Sequence, residues 1–365
     1  MKCKKAAQLR GFGEGGSNLP SRAFTLLAFL YALNMADPRK AGNTMWFTNK
    51  KTLSAEQATA LNDQGWAAFR AQDLDAAQQC FENLAKACPD DPRWMNGVGA
   101  VSLARDDRAN AHRHFQRAAD RDYPGSHYNL GIMAYQDGDH DVARRHFQRA
   151  AEHDYPGSHY NLGSMAFQEG DHDTARQYFQ KATEYDCVRS HFYLGSMAYQ
   201  DGDHDAAVEH LNKAVRHDHP EALNLLGDVH LHAERYPQAE QAYRRAAELG
   251  NVDGYNNLGL LYLQLEDYQQ AKQALLQALE SDHVYAQHNL AVAYHRLGEL
   301  EAAERWYLIS FSEHGNLQSL ENLGHVYGDS GREVEGQALV AASDKLYEDQ
   351  PLNDYEQALI DRLLA

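Results

Sequence analysis

From Leu53 onward apolar positions recur at helical spacing, and one stretch shows the pattern most plainly. In residues 127–158, HYNLGIMAYQDGDHDVARRHFQRAAEHDYPGS, the spacing predicts a first helix, A, from about Ser126 to Asp137. Gly138 supplies the C-terminal break. Asp139 is placed as N-cap of a second helix, B, with Asp141 in its first turn where the helix dipole favours an acid. Helix B is expected to end near Asp154, and Tyr155-Pro156-Gly157 to turn the chain onward.

Helix A carries two apolar stripes. Leu130, Gly131 and Ala134 face Ala143, Phe147 and Ala150 of helix B, whose small members allow close approach while Phe147 fills the gap. The second stripe, Tyr128, Ile132 and Tyr135, is rotated by roughly 110° and cannot reach its own helix B.

The unit repeats. Residues 159–190 match it at 20 of 32 positions, and residues 191–222 follow the same pattern. A fixed period in this range marks a repeat array whose units bury their cores against neighbours. The helix A glycine recurs as Gly65, Gly99, Gly131, Gly163, Gly195, Gly227 and Gly259, gives way to Ala291, and returns as Gly324. The helix B alanine runs in phase from Ala77 to Ala303 and fails at Gly336. Nine hairpins over about 53–348 are expected. A final amphipathic helix within 349–365, with Tyr355, Ala358, Leu359 and Leu363 on one face, would cap the open end.

The unit NLG…A…GD…A…F…A resembles the tetratricopeptide repeat (TPR), and its short inter-unit links, as in AAELGNVDGYNNLG, are similar to Sel1-like repeats. No insertion separates helices A and B, as typical Sel1 units have. The resemblance implies an all-α, right-handed α-solenoid, a superhelix of about nine TPR/Sel1-like hairpins. It also implies that A helices line a concave groove where a peptide or partner protein docks. The groove residues are then Tyr128, Asn129, Tyr135, Tyr160, Asn161, Phe167, Phe192 and Tyr199. Asn129 and Asn161, with Asn257 and Asn289, hold the place that in some TPRs hydrogen-bonds a ligand backbone. Members of each aromatic pair could instead pack against the adjacent repeat. Some TPRs clamp a terminal carboxylate with cations on this face; Tyr128, Ile132, Tyr160, Ser164 and Phe192 supply none.

Charge narrows the partner. The chain carries 34 Lys and Arg against 52 Asp and Glu, a net charge of −18. Residues 1–51 are basic, about +7, which leaves the rest near −25. A nucleic-acid partner needs clustered cations and is not expected. A protein or peptide with a basic or aromatic-accepting surface fits better.

Residues 1–52 read as a basic, disordered extension holding one apolar run, Ala23–Ala36. That run is too short to span a bilayer. It has the length of a signal-peptide core with Ala36 at the cut, or lies upstream of a later start at Met35 or Met45. A cytoplasmic scaffold is expected in the second case; a periplasmic or exported assembly factor for cell-envelope components is the alternative in the first. Cys3, Cys80, Cys88 and Cys187 form no CxxC and no paired framework, and read as free thiols.

Catalytic and metal motifs are not expected. DGDHD at 137–141 superficially resembles a calcium loop, but the glycine and glutamate places of an EF-hand fall on Val142 and Gln148. No two of the 20 histidines stand three or four apart. His140, His172 and His204 lie one unit apart, roughly 10 Å in a stacked array, and read as half-buried residues at the inter-helix turn. Such a cluster could also make the face pH-dependent. Walker, nucleophile-elbow and HExxH motifs are missing, so neither an enzyme nor a cofactor is expected.

Overall fold

The computed structural model describes residues 53–364 apart from 217, 218 and 282; the apolar run at 23–36 lies outside them. Among the described residues there are nineteen helices and no strand. The chain divides into two compact units, the first ending at Ser190. In the first, four hairpins follow one another: α1 (Ala55–Arg70) with α2 (Leu74–Ala87), α3 (Pro92–Ala104) with α4 (Arg108–Ala119), α5 (Pro124–Gln136) with α6 (His140–Ala151), and α7 (Pro156–Gln168) with α8 (His172–Thr183). Then come α9 (Val188–Gln200) with α10 (His204–Val215), α11 (Pro220–His232) with α12 (Tyr236–Glu248), and α13 (Val252–Gln264) with α14 (Tyr268–Glu280). The last pairs are α15 (Ala286–Arg296) with α16 (Leu300–His314) and α17 (Leu317–Asp329) with α18 (Glu333–Tyr347), before α19 (Asp354–Leu364). The described helices thus form the expected nine hairpins and a final helix.

Seven of the nine hairpins close on one lock. A Cβ added at Gly131 would stand 2.7 Å from the Phe147 ring, and one at Gly163 would stand 2.8 Å from Phe179. The same relation, sixteen residues apart, joins Gly65 to Phe81, Gly99 to Phe115, Gly195 to Leu211 and Gly259 to Leu275. Only the missing side chain lets the large one lie flat on the opposite backbone. Gly336, where the alanine pattern failed, meets Gly324: a Cβ on either would strike the other's carbonyl oxygen. The ninth hairpin therefore sets glycine against glycine.

The A–B turn needs one left-handed residue. Gly138, Gly170 and Gly202 adopt φ of about +80°, as expected. Gln72, Asp106, Glu234 and Glu266 hold the equivalent place with φ between 55° and 64°. Asp171 and Asp203 cap helix B by accepting from the backbone N–H of Thr174 and Ala206. Asp139 stands at the N-cap position, but its side chain makes no capping bond. Helix A starts two residues earlier than the periodicity indicates. Pro124 and Pro156 are not in the preceding turn; they open α5 and α7, where a missing N–H costs nothing.

At the C-terminal end the apolar face of α19 differs from expectation. Leu359 and Ile360 enter the core with Tyr307, Leu323 and Leu339, but Tyr355 is 51% exposed and Ala358 lies on the surface. Glu356 rotates the helix: its buried carboxylate takes Lys345 Nζ at 2.7 Å and the Asn353 N–H at 2.9 Å. These bonds, Lys345 first, hold the Glu356 carboxyl below its ordinary range.

Candidate docking surface

The second stripe of helix A divides into two positions with different fates. At the first, Tyr128 is 6% exposed, with Phe147 at 5.8 Å and Tyr155 at 4.9 Å between ring centroids. Its ring fills the space beside Gly157 in the first turn of the next hairpin, and burial pushes its hydroxyl up to about 12. Tyr160 is half-buried, 6.0 Å from Phe179. Phe192, in the second unit, stacks on His219 at 4.9 Å. Contrary to expectation, this position does reach its own helix B, through Phe147 and Phe179, and Tyr128 and Phe192 also pack on the hairpin that follows.

The asparagines belong to the same inter-hairpin layer. Asn129 is 8% exposed and donates to Asn96 Oδ1 at 3.0 Å. In the second unit Asn257 donates to Asn224 at 3.1 Å, and Asn289 to Asn256 at 2.9 Å. Each pair joins the asparagine place of one hairpin to the Tyr128 place of the hairpin before it. Asn161 accordingly lies against the Tyr128 hydroxyl. The sequence register aligns like with like, so it does not show a bond made one position out of phase.

The other position stays at the surface. Tyr135 and Phe167 are half-buried at the tips of their hairpins, and each meets the edge of an exposed imidazole: His140 at 5.0 Å, His172 at 5.2 Å. His140, His172 and His204 are thus exposed rather than half-buried. The Tyr135 hydroxyl donates to Gln168 Oε1 at 2.9 Å. In the second unit Tyr199 contacts His204 and shares a 2.8 Å hydrogen bond with His232 Nδ1.

Acids surround these rings. Asp139 and Asp141 beside Tyr135, and Asp171 and Asp173 beside Phe167, are exposed. Cross-hairpin ion pairs, Arg108 to Asp137 at 2.7 Å and Arg144 to Glu169, neutralise part of the charge. Further along the second unit Leu263 takes the Tyr135 place and Tyr268 the His140 place. With Gln264, Glu266, Val292 and Arg296 they line a surface depression of about 250 Å³. It lies between the tip position of one helix A and the Ile132 place of the next.

Among the described residues no group of three or more His, Cys, Asp or Glu side chains is placed to hold a metal ion. Cys80, Cys88 and Cys187 are free thiols, and burial raises the thiol of Cys187. No helix among the described residues is long and apolar enough to cross a membrane.

Six segments between residue 62 and residue 310, the first five overlapping, match the family model of the tetratricopeptide repeat, more than half of the sequence. The chain belongs to the tetratricopeptide repeat family. Among solved structures, this TPR chain is similar to a protective antigen of uropathogenic Escherichia coli strains displaying an SLR fold. The two share 21% identity and a TM-score of 0.64, over 86% of this chain and 79% of that one. It also matches a Sel1 repeat protein from Oxalobacter formigenes, at 22% identity and a TM-score of 0.49, over 60% of this chain and 99% of that one. No curated protein sequence matches significantly. The all-α solenoid of TPR/Sel1-like hairpins expected from the repeat is thus the fold, and TPR folds generally serve as scaffolds for protein–protein interaction.

Proposed function

We propose that this TPR protein is a non-catalytic scaffold that docks a protein or peptide along the exposed face of its A helices. In the first unit Tyr135 and Phe167 anchor the partner, with Tyr160 and Asn161 between them; within the second unit Phe192 and Tyr199 hold the corresponding places. Tyr128 and Asn129 support this surface from beneath. The observation that carries the reading is the half-buried aromatic ring at the tips of three hairpins, Tyr135, Phe167 and Tyr199, each beside an imidazole and exposed carboxylates. Aromatic anchors contribute much of the energy of an interface, and a cation from the partner gains from both the ring face and the acids. The ligand is accordingly a segment that alternates basic with apolar or aromatic residues.

The test is to pan a random displayed peptide library against the immobilised full chain. Enrichment of basic-aromatic peptides whose binding falls at least tenfold on Tyr135→Ala/Phe167→Ala supports the proposal. Enriched peptides that bind the double variant as well as the parent would refute it.

A further inference from the structure

Two hairpins contain a feature that the docking surface does not use. His127, in the first turn of helix A, faces His146 of its own helix B, with Nδ1 atoms 3.1 Å apart and ring centroids 5.4 Å apart. In the second unit His191 and His210 repeat the arrangement with Nδ1 atoms 3.2 Å apart and the same 5.4 Å between centroids. Each pair joins helices A and B of a single hairpin, nineteen residues apart in sequence.

We propose that each pair is a two-ligand site for a divalent transition-metal ion of the zinc class, held between two Nδ1 atoms and completed by water. The spacing fits. With zinc–nitrogen bonds of about 2.0–2.1 Å, nitrogens this far apart subtend about 100° at the ion, near the tetrahedral angle. Two neutral imidazoles brought together on their Nδ1 atoms can share one proton; an ion in that position engages both lone pairs at once.

In the first pair, one ligand faces a carboxylate on the side where outer support for a metal-bound histidine stands. The far nitrogen of His127, Nε2, is buried without a hydrogen-bond partner, and the nearest carboxylate oxygen, Asp122 Oδ1, stands 3.8 Å away. A metal on Nδ1 fixes the proton on Nε2, facing that carboxylate, the orientation found around metal-bound histidine. Arg149 and His153 near His127, and Arg145 and His112 near His146, oppose a cation and keep the affinity moderate. With both imidazoles neutral, the one Nδ1 proton they share moves to Nε2 on binding, and none is released.

The chain provides its own control. In the intervening hairpin the second histidine is Tyr178, whose ring lies 6.4 Å from His159, and His159 stacks instead on Tyr185 at 5.9 Å. Tyrosine is therefore accommodated at this position by a hairpin of the same design.

The experiment uses the full-length chain and Zn²⁺ alone, counted by native mass spectrometry and titrated against a chromophoric chelator. His146→Tyr and His210→Tyr should each remove one equivalent and the double variant two, with unchanged far-ultraviolet circular dichroism. Loss of those two equivalents establishes the sites, whatever ions other histidines retain. Equal numbers of Zn²⁺ ions on the parent and the double variant would overturn the proposal.

Discussion

Asn129 and Asn96 share one buried hydrogen bond across successive hairpins, and its two ends are not equivalent. Asn96 Oδ1 accepts both from Asn129 Nδ2 at 3.0 Å and from Ser126 Oγ at 2.9 Å. Asn129→Ala therefore leaves the acceptor satisfied and should cost about 1 kcal/mol. Asn96→Ala strands two buried donors and should cost about 2–4 kcal/mol, from roughly 1–2 for each. Urea denaturation of the two variants, compared at equal slope, checks the ordering; equal losses would contradict it.

The division of the aromatic stripe predicts opposite phenotypes for two residues seven apart. Tyr128→Ala removes a ring wedged beside Gly157 and should cost about 3–5 kcal/mol, as for other large core truncations. Tyr135→Ala should cost about 1 kcal/mol or less, because the ring is half exposed, yet it should weaken peptide retention tenfold or more. Thermal melts and peptide titrations on the same samples separate stability from docking.

Stability should fall with acid through His288. Burial depresses its imidazole from 6.5 to about 4, and its Nδ1 lies 2.7 Å from the Ser319 hydroxyl. The folded chain therefore holds a neutral ring while the unfolded chain takes up a proton near its ordinary value. The contribution is intact above about pH 6.5, is lost as pH falls toward 4, and changes no further below that. The loss is on the order of 3 kcal/mol. His288→Gln should flatten the dependence of the urea midpoint on pH across this window.

The turns offer a stabilising change. Glu234 holds φ +55° where Gly138 serves in another hairpin. A left-handed conformation costs a side chain about 1–2 kcal/mol, and glycine gives back about 0.5–1 of this through the unfolded state. Glu234→Gly should therefore raise stability by about 0.5–1 kcal/mol, read from the midpoint of chemical denaturation, and Gly138→Glu should lower it.

The repeat made the fold legible because each lock sets a glycine against a large residue at a fixed distance along the chain. Gly131 and Phe147 carry that signal whatever the rest of the unit holds. The candidate surface was half legible. Tyr128 and Tyr135 lie on one stripe of one helix, and nothing in their own hairpin distinguishes them. What separates them is Gly157 and Tyr155, supplied by the next hairpin. The face of α19 was misread for a related reason. An acid such as Glu356 is normally placed outward, and only Lys345, from another helix, makes its burial favourable. The paired imidazoles likewise depend on how helices A and B close, so no spacing within one helix announces them.

The glycine-to-aromatic lock has a consequence for how this chain can change in length. Gly131 and Phe147 complete their contact inside one hairpin, and Asn96 and Asn129 illustrate a joint between hairpins that recurs in kind. Excising or copying 32 residues in phase leaves every lock whole and replaces one joint with another of the same make. Reach is thus a quantity this protein can acquire in whole increments, as a ruler gains marks, with no core to redesign. The match of residues 127–158 and 159–190 at 20 of 32 positions is the trace such an increment leaves.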